Sequence, residues 1–203
     1  MIAIVDYGVG NLYSLQCSFG KIGEEAVVTS DEKTLKNASK ILLPGVGAFA
    51  DAIAKLKSRG LDEVLKEQVK TGKYVMGICL GMQLLFDESH EYGVHKGLGL
   101  IPGRVVNMRG RIDERLKVPH IGWNGLRFPK PHFLFKDLQE GDCTYFVHSY
   151  FATDCDEHVI ATTEYDKIIT ASVAKENVLG CQFHPEKSGD VGLKILKSFC
   201  QAK

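Results

Sequence analysis

Residues 74–86 read YVMGICLGMQLLF, and this stretch decides the fold. An apolar run, Tyr74–Met76, leads into Gly-x-Cys-x-Gly at Gly77–Gly81, and an apolar, helix-like segment follows from Met82. The pattern predicts a buried strand, a cramped turn and a helix, with the side chain of Cys79 raised at the carboxyl end of the strand. The two glycines suit a turn whose backbone leaves no room for side chains.

This turn predicts a nucleophile elbow with sulfur in place of the serine oxygen. The N–H groups and the positive dipole end of the following helix would face the sulfur of Cys79 and favour its thiolate form. The alternative is a buried, inert cysteine, which is a common state of free cysteines in proteins. The flanking glycines and the strand–helix context favour the nucleophile.

A base for this nucleophile is predicted in the segment His184-Pro185-Glu186. His184 follows the apolar run Val178–Cys181, so the ends of two strands of one sheet can bring it close to Cys79. A carboxylate at Glu186 could bond the far ring nitrogen of His184 and fix its tautomer, as in a catalytic triad. Alone, the tripeptide better fits a surface turn with a solvated acid. Together with the cysteine turn, it favours a triad.

A third segment, Pro44-Gly45-Val46-Gly47, follows the short apolar run Ile41–Leu43. Its glycines leave the backbone free to aim the N–H of Val46 at a developing oxyanion, and the N–H of Leu80 would be the second donor. The alternative, which the segment by itself favours, is an ordinary strand-to-helix turn.

Together, these three segments resemble the class I (triad) glutamine amidotransferases. Further segments resemble one subfamily, the glutaminase subunits of imidazole glycerol phosphate synthases, and the likeness runs from Met1 to about Cys200. These segments are Ile4–Leu12, Pro119–Asn124, Tyr145–Tyr150 and the Lys187-Ser188 that extends the His-Pro-Glu motif. No motif position lacks its chemical group, and Ser149 stands where threonine is also common.

The resemblance implies that the chain hydrolyses the side-chain amide of glutamine. Cys79 would attack the amide carbon, with the N–H groups of Val46 and Leu80 on the oxyanion. His184 would transfer protons, oriented by Glu186. We expect no cofactor and no metal. The residues expected to hold glutamine are Gly45, Gly47, Gln83, Glu91 and the backbone around His148, Ser149 and Tyr150.

The resemblance also implies a partner, because free ammonia is mostly protonated at neutral pH and a dry tunnel would keep it reactive. That partner is a (β/α)8-barrel cyclase subunit, with which the chain would form a heterodimer that makes imidazole glycerol phosphate and aminoimidazole carboxamide ribotide in histidine biosynthesis. Trp123 could instead fill the core, and Lys187 could simply be solvated. The residues expected at or near the interface are Asn11, Trp123, Asn124, Tyr145 and Lys187.

Other functions remain open. The same chemistry could supply ammonia to another synthase, such as a sugar-modifying amidotransferase or a pyridoxal phosphate synthase, and only the subfamily segments separate these. A cysteine peptidase or chaperone-like hydrolase could use the same turn, but it has no evident need for residues 44–47, Gln83 and His184–Glu186 together. A catalytically inactive homologue is disfavoured because all three triad residues are present. For Gln83 alone, an exposed helix position is an equal alternative.

Charge and composition exclude several classes of protein. The 203 residues include 25 Lys plus Arg and 25 Asp plus Glu, so the net charge of zero indicates neither nucleic acid nor an anionic membrane as partner. No apolar run approaches a membrane span, and Met1–Asp6 is too short and lacks the basic residues of a signal peptide. Six cysteines without a C-x-x-C pair indicate a reduced, cytoplasmic protein.

Strand and helix patterns alternate in the first half of the chain, which predicts an α/β fold with a mostly parallel, doubly wound (flavodoxin-like) sheet. The three motif segments fall where ligands bind such sheets, beyond the carboxyl ends of strands. Residues 97–142 are expected to be rich in loops, and later strands to be antiparallel additions. We interpret residues 1–203 as one glutamine amidotransferase domain. The predicted strands are 1–6, 26–28, 41–43, 74–78, 144–150, 157–163, 168–174 and 178–183, and the predicted helices are 11–22, 50–56, 61–69 and 191–199.

Overall fold

Thirteen strands and six α-helices are present in the structure, a computed structural model that describes residues 1–202. The strands are β1 (Ile2–Val5), β2 (Ala26–Thr29), β3 (Lys40–Leu43), β4 (Val75–Ile78), β5 (Phe86–Ser89), β6 (His95–Lys96), β7 (Ile101–Asn107), β8 (His120–Arg127), β9 (Cys143–His148), β10 (Tyr150–Thr153), β11 (Val159–Tyr165), β12 (Lys167–Lys175) and β13 (Val178–Cys181). The helices are α1 (Leu12–Lys21), α2 (Glu32–Asn37), α3 (Phe49–Ser58), α4 (Leu61–Lys70), α5 (Leu80–Leu84) and α6 (Gly189–Cys200), with 3-10 turns at Phe133–Phe135, Asp156–His158 and Pro185–Lys187. Within the described part of the chain, no helix has both the length and the apolar character needed to cross a membrane.

Nine strands form one sheet in the order β2-β1-β3-β4-β13-β12-β11-β8-β9, and the other four form a smaller sheet in the order β10-β7-β5-β6. The strands from β2 to β13 pair in parallel, and those from β13 to β9 pair antiparallel. The predicted α/β sheet, with a parallel core and antiparallel additions, is confirmed.

Four of the five parallel strands are buried because helices cover both faces of the sheet, whereas β2 at the edge is half-buried. Every residue of β1, β3, β4 and β13 is buried, as their continuous apolar runs predict. Alternate residues of β1 enter different cores: Ala3 and Val5 pack with residues of α3 and α4, whereas Ile2 and Ile4 pack with residues of α1 and α6. This two-sided packing fixes the carboxyl ends of β3, β4 and β13 side by side at one edge of the sheet.

Residues 97–142 are largely loops, as predicted, but the strands β7 and β8 within this segment were not predicted. Both strands contain glycine, and β7 also contains Pro102, which are residues that normally indicate turns. Gly103 has a φ of +125°, and a Cβ there would lie 2.7 Å from the carbonyl oxygen of Thr153 on the paired strand. Gly103 therefore permits close packing of β7 against β10, at a position where glycine in the sequence would normally indicate a turn.

Two other boundaries differ from the predictions. The predicted strand 144–150 is divided at Ser149 into β9 of the large sheet and β10 of the small sheet. The predicted strand 178–183 ends at Cys181, two residues earlier than predicted, although the N–H of Gln182 still bonds to the carbonyl oxygen of Ala171 in β12. Helix α2 was not predicted, because Leu35 is the one residue in it that is buried. The capping bond from Thr34 N–H to the side chain of Asp31, 2.8 Å long, starts this helix.

Candidate active site

Cys79 connects β4 to α5 and has the strained backbone of a nucleophile elbow. Its φ of 53° and ψ of −113° lie in a region that residues with side chains rarely adopt. Its N–H donates to the carbonyl oxygen of Cys181 at 2.7 Å, and the N–H of Gln83 donates to its carbonyl oxygen at 3.2 Å. The neighbouring strand and helix therefore hold the strained residue in place.

Close packing explains the glycines of the turn. A Cβ on Gly77 would lie 2.5 Å from the carbonyl oxygen of Gly81, and a Cβ on Gly81 would lie 1.8 Å from that of Leu43. A Cβ on Gly45 would lie 2.8 Å from the nitrogen of Gly81. The turn at Cys79 thus packs directly against the Pro44–Gly47 loop, and the predicted cramped backbone is confirmed.

Gly81→Ala is expected to lower the free energy of unfolding by about 3 kcal/mol or more, because the added methyl group overlaps backbone atoms of Leu43. Gly20→Ala is the matched control: Gly20 lies in α1, and no heavy atom lies within 4 Å of its Cβ position. It should gain about 0.5–1 kcal/mol through reduced backbone entropy. Urea denaturation measures both variants, and wild-type stability in Gly81→Ala would contradict the packing.

His184 and Glu186 form a buried pair beside Cys79. Nδ1 of His184 lies 2.7 Å from Oε1 of Glu186, and their side chains are 3% and 1% exposed. The N–H of His184 donates to the carbonyl oxygen of Tyr145 at 2.9 Å, and a 3-10 turn at Pro185–Lys187 folds Glu186 back toward the ring. The alternative of a surface turn with a solvated acid is wrong, because Glu186 is not solvated.

The electrostatics of this pair favour a charged imidazole. Burial alone would lower the pKa of His184, but the sulfur of Cys79 and the carboxylate of Glu186 together outweigh burial and raise this pKa to about 10. An imidazolium beside a thiolate is the arrangement of a cysteine nucleophile activated by histidine. Nε2 of His184 is buried without a well-aligned hydrogen bond in the described part of the chain, which leaves it available to a reacting group.

A cavity of about 500 Å³ lies over Cys79. This volume is within the usual size of small-molecule sites in proteins. Gly45 and Glu186 are not among the residues that line it. The cavity is lined by ten of the predicted site residues, namely Val46, Gly47, Cys79, Leu80, Gln83, Glu91, His148, Ser149, Tyr150 and His184.

The Pro44–Gly47 loop is anchored at its start and just beyond its end. The hydroxyl group of Tyr7 donates to the carbonyl oxygen of Pro44 at 2.7 Å, and the N–H of Phe49 donates to Oε2 of Glu91. Between these anchors Val46 is 43% exposed and Gly47 has a φ of +96°. Glu91 therefore has one carboxylate oxygen engaged by α3, and the residue lines the cavity.

Gln83 lines the cavity as a buried residue, so the alternative of an exposed helix position is wrong. Its Nε2 donates to the carbonyl oxygen of Tyr150 at 3.2 Å and to Oε1 of Gln182 at 3.0 Å. Both N–H groups of the amide are thus used within the protein. Only Oε1 of Gln83 remains for a ligand.

The imidazole of His148 points into the protein. Its Nδ1–H donates to the carbonyl oxygen of Tyr150 at 2.8 Å, and its Nε2 lies 3.1 Å from Nδ1 of His120. Burial chiefly, with repulsion from His120 and His184, lowers the pKa of His148 to about 3 against the opposing bond to Tyr150. A neutral ring therefore supports the crossing from β9 to β10 at the cavity wall.

Trp123, Tyr145 and Lys187 form one exposed cluster, together with Ile121. Trp123 is 56% and Ile121 59% exposed, so the alternative of Trp123 as core filler is wrong. The rings of Trp123 and Tyr145 meet edge to face at 5.9 Å, and Nζ of Lys187 lies 5.7 Å from the centre of the Tyr145 ring. Lys187 therefore contacts an aromatic ring as well as solvent.

The two asparagines predicted at the interface differ in their surroundings. Asn11 precedes α1 and its carbonyl oxygen accepts from the N–H of Leu15 at 3.2 Å. The side chain of Asn124 is used within the chain: Oδ1 lies 2.7 Å from Nε2 of His120, and Nδ2 donates to the carbonyl oxygen of Glu164 at 3.0 Å. The side chain of Asn124 therefore links β8 to β11.

Sequence reasoning missed several residues in and around the cavity. Gln182 is fully buried and its Nε2 lies 3.8 Å from the sulfur of Cys79. Its signal in the sequence was a polar residue at the end of an apolar run, two residues before His184. The missed residues that line the cavity are Tyr92, Asn107, Arg109, Val118, Pro119 and Val147.

Comparison with known proteins identifies similar chains over nearly the whole length. The family model described as "Glutamine amidotransferase class-I" matches residues 3–202. The "Imidazole glycerol phosphate synthase subunit HisH" of Sulfurimonas denitrificans is 52% identical over 201 residues, which is 98% of this chain and 97% of that protein. The protein of the same name from Syntrophotalea carbinolica is 48% identical over 203 residues, which is 98% of each chain.

Solved structures share the fold at low sequence identity. One described as "Crystal structure of glutamine amidotransferase" superposes with a TM-score of 0.76 at 18% identity, covering 98% of this chain and 100% of that one. PurLQS from Thermotoga maritima superposes with a TM-score of 0.76 at 20% identity, covering 98% and 97%. At this identity the likeness concerns the fold alone, and it agrees with the α/β sheet described above.

Proposed function

Because the chain belongs to the class I glutamine amidotransferases, we propose that it is the glutaminase subunit of an imidazole glycerol phosphate synthase in histidine biosynthesis. It hydrolyses glutamine to glutamate and ammonia and supplies the ammonia to a partner subunit. The observation that carries this function is the buried His184–Glu186 pair beside the strained Cys79. Relatives that share about half of their residues with the chain, over almost its full length, carry the name of this subunit.

Glutamine binds with its side-chain amide toward Cys79. Its α-amino group lies near Oε1 of Gln83 and the free carboxylate oxygen of Glu91, both of which accept hydrogen bonds. Backbone groups of Gly47, Ser149 and Tyr150 hold the remainder of the substrate. Cys79 and His184 line the same cavity as Gln83, Glu91, Ser149 and Tyr150, which supports this arrangement of the substrate.

The reaction proceeds through a thioester on Cys79. The thiolate attacks the amide carbon, and the N–H groups of Val46 and Leu80 stabilise the oxyanion. His184 gives a proton from Nε2 to the leaving nitrogen, and ammonia departs as the carbonyl group re-forms. His184 then takes a proton from water, which attacks the thioester, and glutamate leaves as the thiolate is restored. Glu186 keeps the proton on Nδ1 of His184 throughout.

The partner is a (β/α)8-barrel cyclase, and it docks on the cluster of Ile121, Trp123, Tyr145 and Lys187. Aromatic residues are enriched in protein–protein interfaces, and exposed tryptophan beside tyrosine suits an interface core. Asn11 and Asn124 lie at the margin of this contact. The ammonia passes through a tunnel into the cyclase, which keeps it from protonation in bulk water.

The competing functions fit less well. Supply of ammonia to a sugar-modifying or pyridoxal phosphate synthase uses the same triad, but the relatives described above carry a different subunit name. A peptidase needs an open groove for a chain, whereas here the nucleophile lies in a cavity walled by buried Gln83 and by Glu91.

Activity is expected to depend on the partner. Glutamate release should rise roughly 100- to 1,000-fold from the isolated chain to the complex with cyclase and its nucleotide ligand, because one oxyanion donor is worth this much. The group that changes is the peptide of Val46, whose N–H is the oxyanion donor gained in the active complex. Val46 lies exposed between the anchored ends of its loop. A glutaminase assay on the isolated chain, on the chain with cyclase and on the complex with nucleotide measures this rise. Full activity in the isolated chain would contradict the switch and leave the triad intact.

Two glycine variants distinguish a specific effect on the Pro44–Gly47 loop from the general cost of a side chain at positive φ. Gly47→Ala and Gly23→Ala both place a methyl group at positive φ, +96° and +77°, with no heavy atom within 4 Å of either Cβ position. Gly47→Ala should reduce the partner-activated rate at least tenfold, because its loop must move at low cost. Gly23→Ala should leave that rate unchanged, and equal effects of the two would exclude a special role of the loop.

A further inference from the structure

Gln182 is the buried polar side chain closest to the nucleophile that the mechanism above does not use. It follows β13, and its side chain is fully buried. Its N–H donates to the carbonyl oxygen of Ala171 at 2.8 Å, so the backbone is fixed in the sheet. Its side-chain Nε2 lies 3.8 Å from Sγ of Cys79, within the range of an N–H···S hydrogen bond. Burial of an amide costs free energy unless the amide is hydrogen-bonded, so a buried amide beside the nucleophile indicates a role for its N–H groups.

The orientation of this amide follows from one carbonyl group. The carbonyl oxygen of Tyr150 can only accept, so the amide of Gln83 must present Nε2 to it, at 3.2 Å. The second N–H of Gln83 then donates to Oε1 of Gln182 at 3.0 Å. Gln182 is thereby held with its Nε2, and not its oxygen, toward the sulfur. A reversed amide at Gln182 would place its NH2 group against the NH2 group of Gln83, and a reversed amide at Gln83 would place its oxygen against the carbonyl oxygen of Tyr150.

The other groups around the sulfur make this donor useful. The carbonyl oxygen of Val147 lies 4.0 Å from Sγ and can accept a hydrogen bond from a thiol, but it repels a thiolate. His184 supplies a positive charge, and the N–H of Gln182 is a second donor from a different direction. A hydrogen bond to an ionised acceptor is stronger than one between neutral groups. The amide therefore favours the thiolate over the thiol.

We propose that Gln182 is a catalytic residue that donates a hydrogen bond to the thiolate of Cys79 and holds it for attack. Gln83 acts as its positioning residue, because it fixes the direction of the Gln182 amide. The proposal deepens the function proposed above and rests on Cys79 being the nucleophile. It concerns a residue outside the triad and outside the oxyanion donors.

The reactivity of Cys79 toward iodoacetamide tests this proposal without glutamine. Gln182→Met keeps a side chain of similar length and removes the donor, and Gln182→Glu places a carboxylate oxygen at the sulfur. Because Cys17 and Cys143 are exposed, mass spectrometry of the Cys79 peptide must follow the reaction. At neutral pH, alkylation of Cys79 should fall roughly tenfold in Gln182→Met and further in Gln182→Glu, because each variant removes the donor that stabilises the thiolate.

Ser172→Ala is the matched control. Ser172 is also fully buried, and its hydroxyl group donates to the carbonyl oxygen of Gly180 at 2.6 Å without touching Cys79. The titratable neighbours of the sulfur are unchanged in each variant; they are His184, backed by Glu186 and His148, and Tyr7. Ser172→Ala should therefore keep the alkylation profile of the wild type even if it loses stability.

The partner-activated glutaminase supplies the second readout. In the complex with cyclase, kcat of Gln182→Met should fall roughly tenfold while KM changes less than twofold, because the donor acts on the sulfur and not on bound glutamine. Unchanged alkylation and unchanged kcat in Gln182→Met would overturn the role of Gln182, even with reduced stability. Should that variant not fold, the side-chain NH2 resonances of Gln182 in the wild type must shift when Cys79 is alkylated, and unmoved resonances would overturn the proposal. Glutaminase activity in Cys79→Ala would instead overturn the proposed function itself.

Discussion

Cys79→Ala is expected to abolish glutamate release from glutamine, by at least about 10⁴-fold in the complex with cyclase, as loss of a nucleophile does in other triad enzymes. The fold should persist, because alanine has the same Cβ and tolerates the turn as the cysteine does. A coupled glutamate assay on the complex measures the loss. A rate near that of the wild type would show that the triad is assigned wrongly.

Two controls make the loss specific to the nucleophile. With ammonium salts in place of glutamine, the complex containing Cys79→Ala should still form the cyclase product, since the ammonia-consuming site lies in the partner. Cys17→Ala and Cys143→Ala remove exposed cysteines and should leave glutaminase activity unchanged. Loss of the ammonium-dependent reaction would mean that Cys79→Ala disrupts assembly and not chemistry.

His184→Ala is expected to reduce kcat by about 10⁴-fold or more, and Glu186→Gln by about 100-fold. Alanine at 184 removes the group that transfers every proton. Glutamine at 186 can still accept a hydrogen bond from Nδ1 of His184 through its side-chain oxygen. It lacks the charge that stabilises the imidazolium. Its NH2 group would also be buried at the position of Oε2 of Glu186, which has no hydrogen-bond partner among the described residues. Steady-state glutaminase assays of both variants in the complex measure the two losses.

The chain offers a second His–Glu pair as a control for this comparison. Nε2 of His90 lies 2.7 Å from Oε1 of Glu88, with the same two-residue separation and the same distance, but both side chains are more than a third exposed. Glu88→Gln should leave kcat unchanged. Equal losses in His184→Ala and Glu186→Gln would show that Glu186 does more than orient the base.

The parts of the site that could be predicted are those with a local backbone requirement. Gly77 and Gly81 flank a cysteine after a buried strand, and the structure shows that no side chain fits at either glycine. The parallel strands could be predicted because burial on both faces requires continuous apolar runs. His184 and Glu186 could be predicted as a pair because their separation is short.

The parts that could not be predicted depend on contacts between distant segments. Strand β7 contains proline and glycine, and its pairing with β10 joins residues more than 40 positions apart. The partners of Gln83 became evident only when Tyr150 and Gln182 were brought to it from two different strand ends. The role of Gln182 has no pattern of its own, because an amide gains its direction from neighbours.

The central claim is that the sulfur of Cys79 carries the glutamyl group during turnover. Rapid acid quenching of the complex with cyclase, nucleotide and glutamine, followed by proteolysis and mass spectrometry, measures this directly. We expect a glutamyl group on the peptide that contains Cys79, and none on that peptide in Cys79→Ala. A glutamyl group on another residue, or glutamate release with no adduct on Cys79, would contradict the account.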